Sequence, residues 1–403
     1  MLHAPLLKGF LIFLVVAGVI VPLFYRARIG TVLGFLVAGV ALGPHGFGRF
    51  AADHPWVHYV TFDNPQRGEP MAEFGIMMLL FLLGLELSFK RLWELRRYVL
   101  GVGLAQVVVT TLAIGLALRA SGAVPPSGLV LGLCLALSST AIVMQLLIEQ
   151  GRAAELVGRV ALSVLLLQDM MVVPIMFIVG LLVFGAKGDI LQLILPFAEA
   201  LGAVFAIMLV GRFVARPLVK SALQTGSRDL IMAITLLILV GFSVATAAAG
   251  LSVALGAFLA GLLLSESEAK HRIETDLEPF KGLMLGIFFI TVGTSLDLAA
   301  VVHDIGWVLL GVVALMAVKA GILYGAARAF KVPRDTAIEV ALLLAQGGEF
   351  AFVVLAQART LVSPQLTSGA IAVVALTMLL TPLAALVARM LVRRGEEPAK
   401  APA

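Results

Sequence analysis

Charge is scarce in this chain: Asp, Glu, Lys and Arg together make up 13% of 403 residues, about half the share of an ordinary soluble domain. Hydrophobic residues reach 61% and the mean hydropathy is +1.07. That leaves too little polar surface to cover a water-soluble fold, so the composition demands a membrane-embedded chain. A single cysteine, Cys134, excludes an internal disulfide framework and a thiolate metal cluster. No HExxH zinc motif is present, and the near miss to a nucleophile elbow at Ser252 lacks its second glycine. Gly46 and Gly48 resemble the start of a dinucleotide loop, but Ala51 stands at the third glycine position and no βαβ pattern surrounds it. There is no TVGYG filter and no arginine-rich sensor helix, which disfavours a potassium channel. Neither a cofactor nor a nucleic-acid partner is expected. The net charge of +5 matters by its placement along the membrane rather than by its sum.

Apolar runs bounded by charge or by Pro and Gly give thirteen candidate spans, at 6–25, 31–47, 71–88, 98–118, 127–148, 157–184, 190–211, 229–249, 250–265, 279–297, 305–326, 336–358 and 366–391. The first follows Lys8 as a signal peptide would, yet no small-x-small site follows it, so it counts as span 1. Residues 229–265 are almost continuously apolar. As one helix they would run about 55 Å at 1.5 Å per residue, against a hydrocarbon core of about 30 Å, so the chain must turn near Gly250. Charge supports that division. With the N-terminus outside, 22 Lys and Arg fall on the cytoplasmic side and 6 outside, with Lys319 left within a span. Joining 229–265 into one helix gives 13 against 15 and abolishes the positive-inside bias. The expected product is one all-α transmembrane domain over residues 1–400, with a cytoplasmic C-terminus and no soluble regulatory domain.

The chain also repeats itself. LGFLVAGVALG (33–43) aligns with LGAFLAGLLLS (255–265), placing Gly34, Ala38 and Gly39 on Gly256, Ala260 and Gly261. Gly84 in span 3 aligns with Gly293 in span 10, and Pro174 in span 6 with Pro382 in span 13. Matched spans lie seven apart, an odd number, so the halves 6–184 and 229–391 have opposite orientation, with 190–211 as a linker helix. Chance alignment of Leu-, Val- and Gly-rich helices is the alternative; three matches in consistent order speak against it. Inverted repeats are the architecture of secondary transporters, whose substrate sites lie at midmembrane where broken helices meet.

An ionisable group in the hydrocarbon region costs about 2.5 to 3.5 kcal/mol on insertion scales, so each needs a reason. Asp169 lies deep in span 6, too short to reach water. Apart from a helix-packing hydrogen bond, its natural use is to hold either a proton or a metal cation, and that exclusivity is an exchange mechanism if the site opens alternately to each side. Lys319 in span 11 reads as a charge partner for Asp169, or as a lysine snorkelling toward the interface. Span 5 carries Ser138, Ser139 and Thr140 at its centre, and span 12 carries Gln346, Gly347, Gly348 and Glu349. Both patterns suit broken helices, in which Glu349 stabilises a half-helix N-terminus; for the first, back-bonding of hydroxyls to their own helix is the alternative. His45, Asp53, His54 and His58 read as a solvated external loop, and Glu86 as an interfacial charge.

The segments LVAGVALGPHGFG (36–48), FLLGLELSFKRLW (81–93), LALSSTAIVMQ (135–145), LLLQDMMVVP (165–174), QGGEFAFVV (346–354) and the stretch 256–293 resemble the monovalent cation:proton antiporter-2 family, most of all the membrane domain of its Kef-type potassium/proton members. The resemblance implies thirteen spans, crossed broken spans 5 and 12, and an elevator-like alternation of a core built on spans 4–6 and 11–13. It implies a homodimer formed through the early spans and spans 8–10, in the inner membrane of a bacterium, and admits an accessory or regulatory subunit. It places the ion-binding aspartate on Asp169, its polar neighbour on Gln168, the span-5 hydroxyls on Ser139 and Thr140, and the family's lysine on Lys319. Gln168, standing where sodium/proton members carry a first carboxylate, favours K+ over Na+ at Asp169 and one-for-one exchange with H+. A sodium/proton antiporter of the same fold, a channel-like potassium efflux pathway and a non-transporting membrane sensor are the alternatives.

Overall fold

Helix boundaries in this chain are set by glycine and by capping hydroxyls rather than by charge. The computed structural model describes residues 5–26, 31–51, 53–62, 69–86, 93–122, 124–185, 190–294, 296 and 298–395, and every regular element among them is helical. The longer helices, in chain order, are α1 (Pro5–Val15, continuing through the π-helical Val16–Ile20 into Val21–Arg26), α2 (Thr31–Leu42), α3 (Glu69–Glu86), α4 (Leu104–Ala120), α5 (Pro125–Ala136), α6 (Thr140–Glu149), α7 (Leu156–Gly185), α8 (Ile190–Thr225), α9 (Arg228–Ala248), α10 (Val253–Leu264), α11 (Lys270–Thr294), α12 (Ile305–Ala329), α13 (Arg334–Leu343), α14 (Phe350–Gln357) and α15 (Pro364–Gly395).

The apolar stretch 229–265 turns at Gly250, whose φ of +74° lies in the left-handed region. Leu251 N–H donates to the Thr246 carbonyl and Gly250 N–H to that of Ala247, the double bond that closes a helix on a C-terminal glycine. Two residues later the Ser252 hydroxyl accepts from Leu255 N–H at 3.1 Å and starts α10. By contrast, α8 does not stop at Arg212, where the sequence places the end of a linker helix. Charge ends the apolar part of a helix but not the helix; α8 runs on to Thr225, where Gly226 (φ +68°) and the Ser227 cap of α9 interrupt it. The polar residues before span 10 are likewise helical, so that α11 begins at Lys270 and bends by 53° between Lys270–Leu277 and Gly282–Thr294.

Seven described helices are long and apolar enough to cross a bilayer, or eight with the bent pair, and Lys8–Phe24 and Val253–Leu264 are shorter apolar helices. Large apolar side chains stand exposed along them, Phe205 and Phe213 on α8 and Trp307 and Val313 on α12 among them. Such faces suit lipid, not water. The chain is an integral membrane protein.

Contacts divide the chain into two units, one comprising Met1–Ser88 and Met176–Ala299, the other Phe89–Ile175 and Ala300–Ala403. The first is held by α3 packed on α10, and by α11 packed on α2 and α3. Glycines make the crossings: a Cβ at Gly261 would strike the Phe81 carbonyl and one at Gly84 the Phe258 carbonyl, while Gly39 faces the backbone of Ile290 and Gly293 that of Leu36. With no hydrophobic force between helices in lipid, such close backbone approach is a main source of association. In the second unit, α4 packs on α5, and α13 on α12 and α15, around a core of Val143, Val160, Val164, Leu323, Val340 and Leu344.

Gly261→Val should therefore lower stability by roughly 1 to 3 kcal/mol, the usual cost of overpacking, read as a drop in unfolding temperature in detergent. Gly241→Ala, where a Cβ meets nothing within 4 Å, serves as the control and should leave it unchanged. Equal behaviour of the two variants would contradict the close-crossing account.

Candidate functional site

Two helices of the second unit are interrupted in the middle. Between α5 and α6 residues 137–139 leave the helix, and between α13 and α14 residues 344–349 do so. Each interruption frees backbone N–H and C=O groups where no water is at hand, and each such group left unpaired costs several kcal/mol.

The freed groups find named partners. Lys319 on α12, fully buried, donates to the Leu137 carbonyl at 2.8 Å, the Ser138 hydroxyl at 3.1 Å and the Gln346 carbonyl at 2.6 Å. Its ammonium thus sits where the C-terminal ends of α5 and α13 meet, and helix C-termini carry partial negative charge. The Ser138 hydroxyl passes its own hydrogen to the Leu344 carbonyl at 2.8 Å, joining one break to the other. Gly347 N–H donates to the Thr377 hydroxyl of α15 at 3.1 Å. Gly348 lies so close to the Ser138 backbone that a Cβ would come within 2.6 Å of the Ser138 carbonyl carbon. Only glycine fits where the two breaks touch.

The span-6 residues complete the break in α5–α6 from the other side. The Gln168 carbonyl oxygen accepts from Ser138 N–H at 2.8 Å, and its amide donates to the Gln106 carbonyl oxygen at 2.7 Å. Ser139 caps α6, its hydroxyl accepting from Ile142 N–H at 3.4 Å. Thr140 opens α6 and directs its hydroxyl to both carboxylate oxygens of Asp169, each at 3.1 Å. Asp169 itself is only 8% exposed. Glu349 is buried at the cap position of α14, but its carboxylate makes no cap bond to the first turn. Gln346 enters the site through its backbone carbonyl; its buried side-chain amide has no hydrogen-bond partner among the described residues.

The structure thus brings Gln168, Asp169, Ser139, Thr140, Lys319 and the Gln346–Gly348 break together in one unit. The ammonium of Lys319, read from sequence as a charge partner for Asp169, directs its three hydrogen bonds to the broken spans. Two participants escape a scan for ionisable residues. Gln106 is a lone amide in the apolar run of span 4, and Thr377 one of several hydroxyls in span 13; a search for every hydrogen-bonding side chain at midmembrane depth finds both. A second tie lies outside the apolar spans, in the turn between α6 and α7. There Arg152 binds Glu339 of α13 at 2.7 Å and Glu155 at 2.8 Å. Burial works to lower the pKa of this guanidinium, but the bonds to Glu155 and Glu339 leave it above its ordinary value, so Arg152 stays charged at any physiological pH.

Two interrupted helices meeting at a buried carboxylate and a buried ammonium are an arrangement that membrane ion-binding sites use. The chain belongs to the sodium/hydrogen exchanger transmembrane family, whose pattern it matches over residues 11–387. It is 38% identical to the glutathione-regulated potassium-efflux system protein KefC of Enterobacter sp. (strain 638), over 96% of this chain and 61% of that one. It is 40% identical to the chloroplastic K(+) efflux antiporter 1 of Arabidopsis thaliana, over 97% of this chain and 33% of that one. The chain thus spans about three fifths and one third of these two relatives. Its fold matches the sodium proton antiporter MjNhaP1 of Methanocaldococcus jannaschii with a TM-score of 0.69 at 15% identity, covering 96% of this chain and 99% of that one.

Lys319→Met should leave the Leu137 and Gln346 carbonyls without a donor, at roughly 1 to 3 kcal/mol for each buried group. The expected result is a lower unfolding temperature in detergent. A variant as stable as the parent would show that the breaks do not depend on this ammonium.

Proposed function

We propose that this protein is a secondary active antiporter that exchanges a monovalent cation, K+ in preference to Na+, for H+ at Asp169. The observation that carries the reading is the Asp169 carboxylate, nearly buried, held by Thr140 at the start of a half-helix and adjoining a break that exposes backbone to the site. A carboxylate there holds a proton or a cation but not both, so loading one expels the other. Thr140 supplies a hydroxyl that can also ligate a dehydrated cation through its oxygen. Substrate preference follows the two relatives, a potassium-efflux system protein and a K(+) efflux antiporter.

The wider architecture belongs to the same proposal: thirteen spans, N-terminus outside and C-terminus cytoplasmic, in two inverted repeats, working as a homodimer. The glycine crossings support the repeat. Gly39 and Gly261 are matched positions, as are Gly84 and Gly293, and the α2–α11 crossing uses Gly39 with Gly293 while the α3–α10 crossing uses Gly84 with Gly261. Exchanging the halves converts one crossing into the other.

Stoichiometry follows from the donor count at Lys319. Its three acceptors use all three N–H bonds of an ammonium, and a neutral amine has only two to give. That count supports a lysine that keeps its proton, so that one carboxylate moves one H+ per K+ with no net charge.

In proteoliposomes, a K+ gradient should drive H+ the opposite way, and the apparent KM for K+ should fall as pH rises, because fewer protons compete for Asp169. Asp169→Asn should fold normally and exchange nothing, since Asn cannot alternate between proton and cation; full activity in that variant would sink the assignment. The exchange rate should not respond to an imposed membrane potential. A strong response would mean that a second proton moves and would make Lys319 its carrier.

A further inference from the structure

One buried group at the break has no part in the exchange as described. Gln106 on α4 is fully buried, and its amide donates to the Ala136 carbonyl at 2.9 Å and to the Thr110 hydroxyl at 3.3 Å, while its carbonyl oxygen accepts from Gln168 at 2.7 Å. Gln168 in turn accepts from Ser138 N–H at 2.8 Å, with its amide 3.4 Å from the Ala136 carbonyl. The two side chains form a chain whose ends are fixed by backbone. Ala136 offers only an acceptor and Ser138 only a donor, so each amide has one permitted orientation. Flipping either sets oxygen against oxygen or N–H against N–H. Without Gln106, the Gln168 amide loses its 2.7 Å acceptor and the last carbonyl of α5 loses its 2.9 Å donor.

We propose that Gln106 is a positioning residue of the exchange reaction. It touches neither Asp169 nor the transported ion. It locks the Gln168 amide, which holds Ser138 and so sets the width of the Ala136–Ser138 break, which in turn delivers the Thr140 hydroxyl to Asp169. Direction runs along the chain from α4 to the carboxylate, through bonds that all lie within one unit. This rests on the reading of Asp169 as the exchange site.

The test is K+/H+ exchange by the full chain in proteoliposomes, comparing Gln106→Met, Gln168→Met and the double variant, with Gln106→Glu measured across pH. Gln106→Met should raise the KM for K+ about tenfold, the loss expected when a buried hydrogen-bond partner is removed, with the maximal rate per folded transporter little changed. The double variant should be no worse than the more impaired single one, because both residues act through the same link. Gln106→Glu should behave as a titratable copy. Its protonated acid can donate to the Ala136 carbonyl and accept from Gln168, whereas its ionised form has no donor. The ratio of its KM to that of the parent should therefore be near one at low pH and climb toward the Met value at high pH. Asp169 on α7, Lys319 on α12 and Cys134 on α5 are present in the parent and in Gln106→Met alike, so the pH course of the Met-to-parent ratio is the reference against which Gln106→Glu is read.

Multiplying effects in the double variant, a parental KM in Gln106→Met, or a flat ratio for Gln106→Glu would each overturn the proposal. Should Gln106→Met fail to fold, the pH ratio decides alone. A parent that exchanges and loses exchange on Asp169→Asn keeps the function reading whatever Gln106 does. A parent that does not exchange removes that reading, and the amide chain is then judged by whether the unfolding temperature of Gln106→Glu, relative to the parent, falls as pH rises.

Discussion

The structure of the second unit depends on one constraint: a helix broken inside hydrocarbon must have its freed backbone groups paired by side chains. Lys319 meets two of those demands at once. One ammonium with three N–H bonds serves the Leu137 and Gln346 carbonyls and the Ser138 hydroxyl, and so ties two interrupted helices that are about two hundred residues apart in sequence. The charge that is costly to bury in lipid is tolerated because two helix C-termini point at it.

The same constraint explains the amides and hydroxyls around it. Gln168 takes the Ser138 N–H, Gln106 the Ala136 carbonyl, Thr377 the Gly347 N–H, and Ser138 the Leu344 carbonyl. Beside them the Thr140 hydroxyl and the Asp169 carboxylate meet at the break, side chain to side chain. A site meant to change occupant must be built from such groups, since a ligand already committed to the fold cannot let go without breaking it. Gln168 is the instructive case. Its position beside Asp169 suggests a cation ligand, and one lone pair of its oxygen is already committed to Ser138 N–H.

The first unit follows a different rule. Its helices meet at backbone distance through Gly39, Gly84, Gly261 and Gly293, with no charged group needed. The second unit combines an apolar core with the buried hydrogen bonds that pair its two helix breaks.

By itself the sequence determined the membrane setting, the helical class, the turn at Gly250 and the two polar interruptions, because hydropathy, glycine and lone charges act locally or over one helix length. It also marked Asp169, Lys319 and Thr140 as candidates, since ionisable and hydroxyl groups in apolar runs need a reason, and the structure brings them into one unit. Helix ends set by charge misled, as at Arg212, because charge ends a membrane span but not a helix. The tertiary structure alone decided which groups meet. That Lys319 binds carbonyls 182 and 27 residues away, and that Gln106 completes the Gln168 amide chain, are facts of helix packing. Neither is encoded in any local pattern, because backbone carbonyls carry no residue identity that a sequence could display.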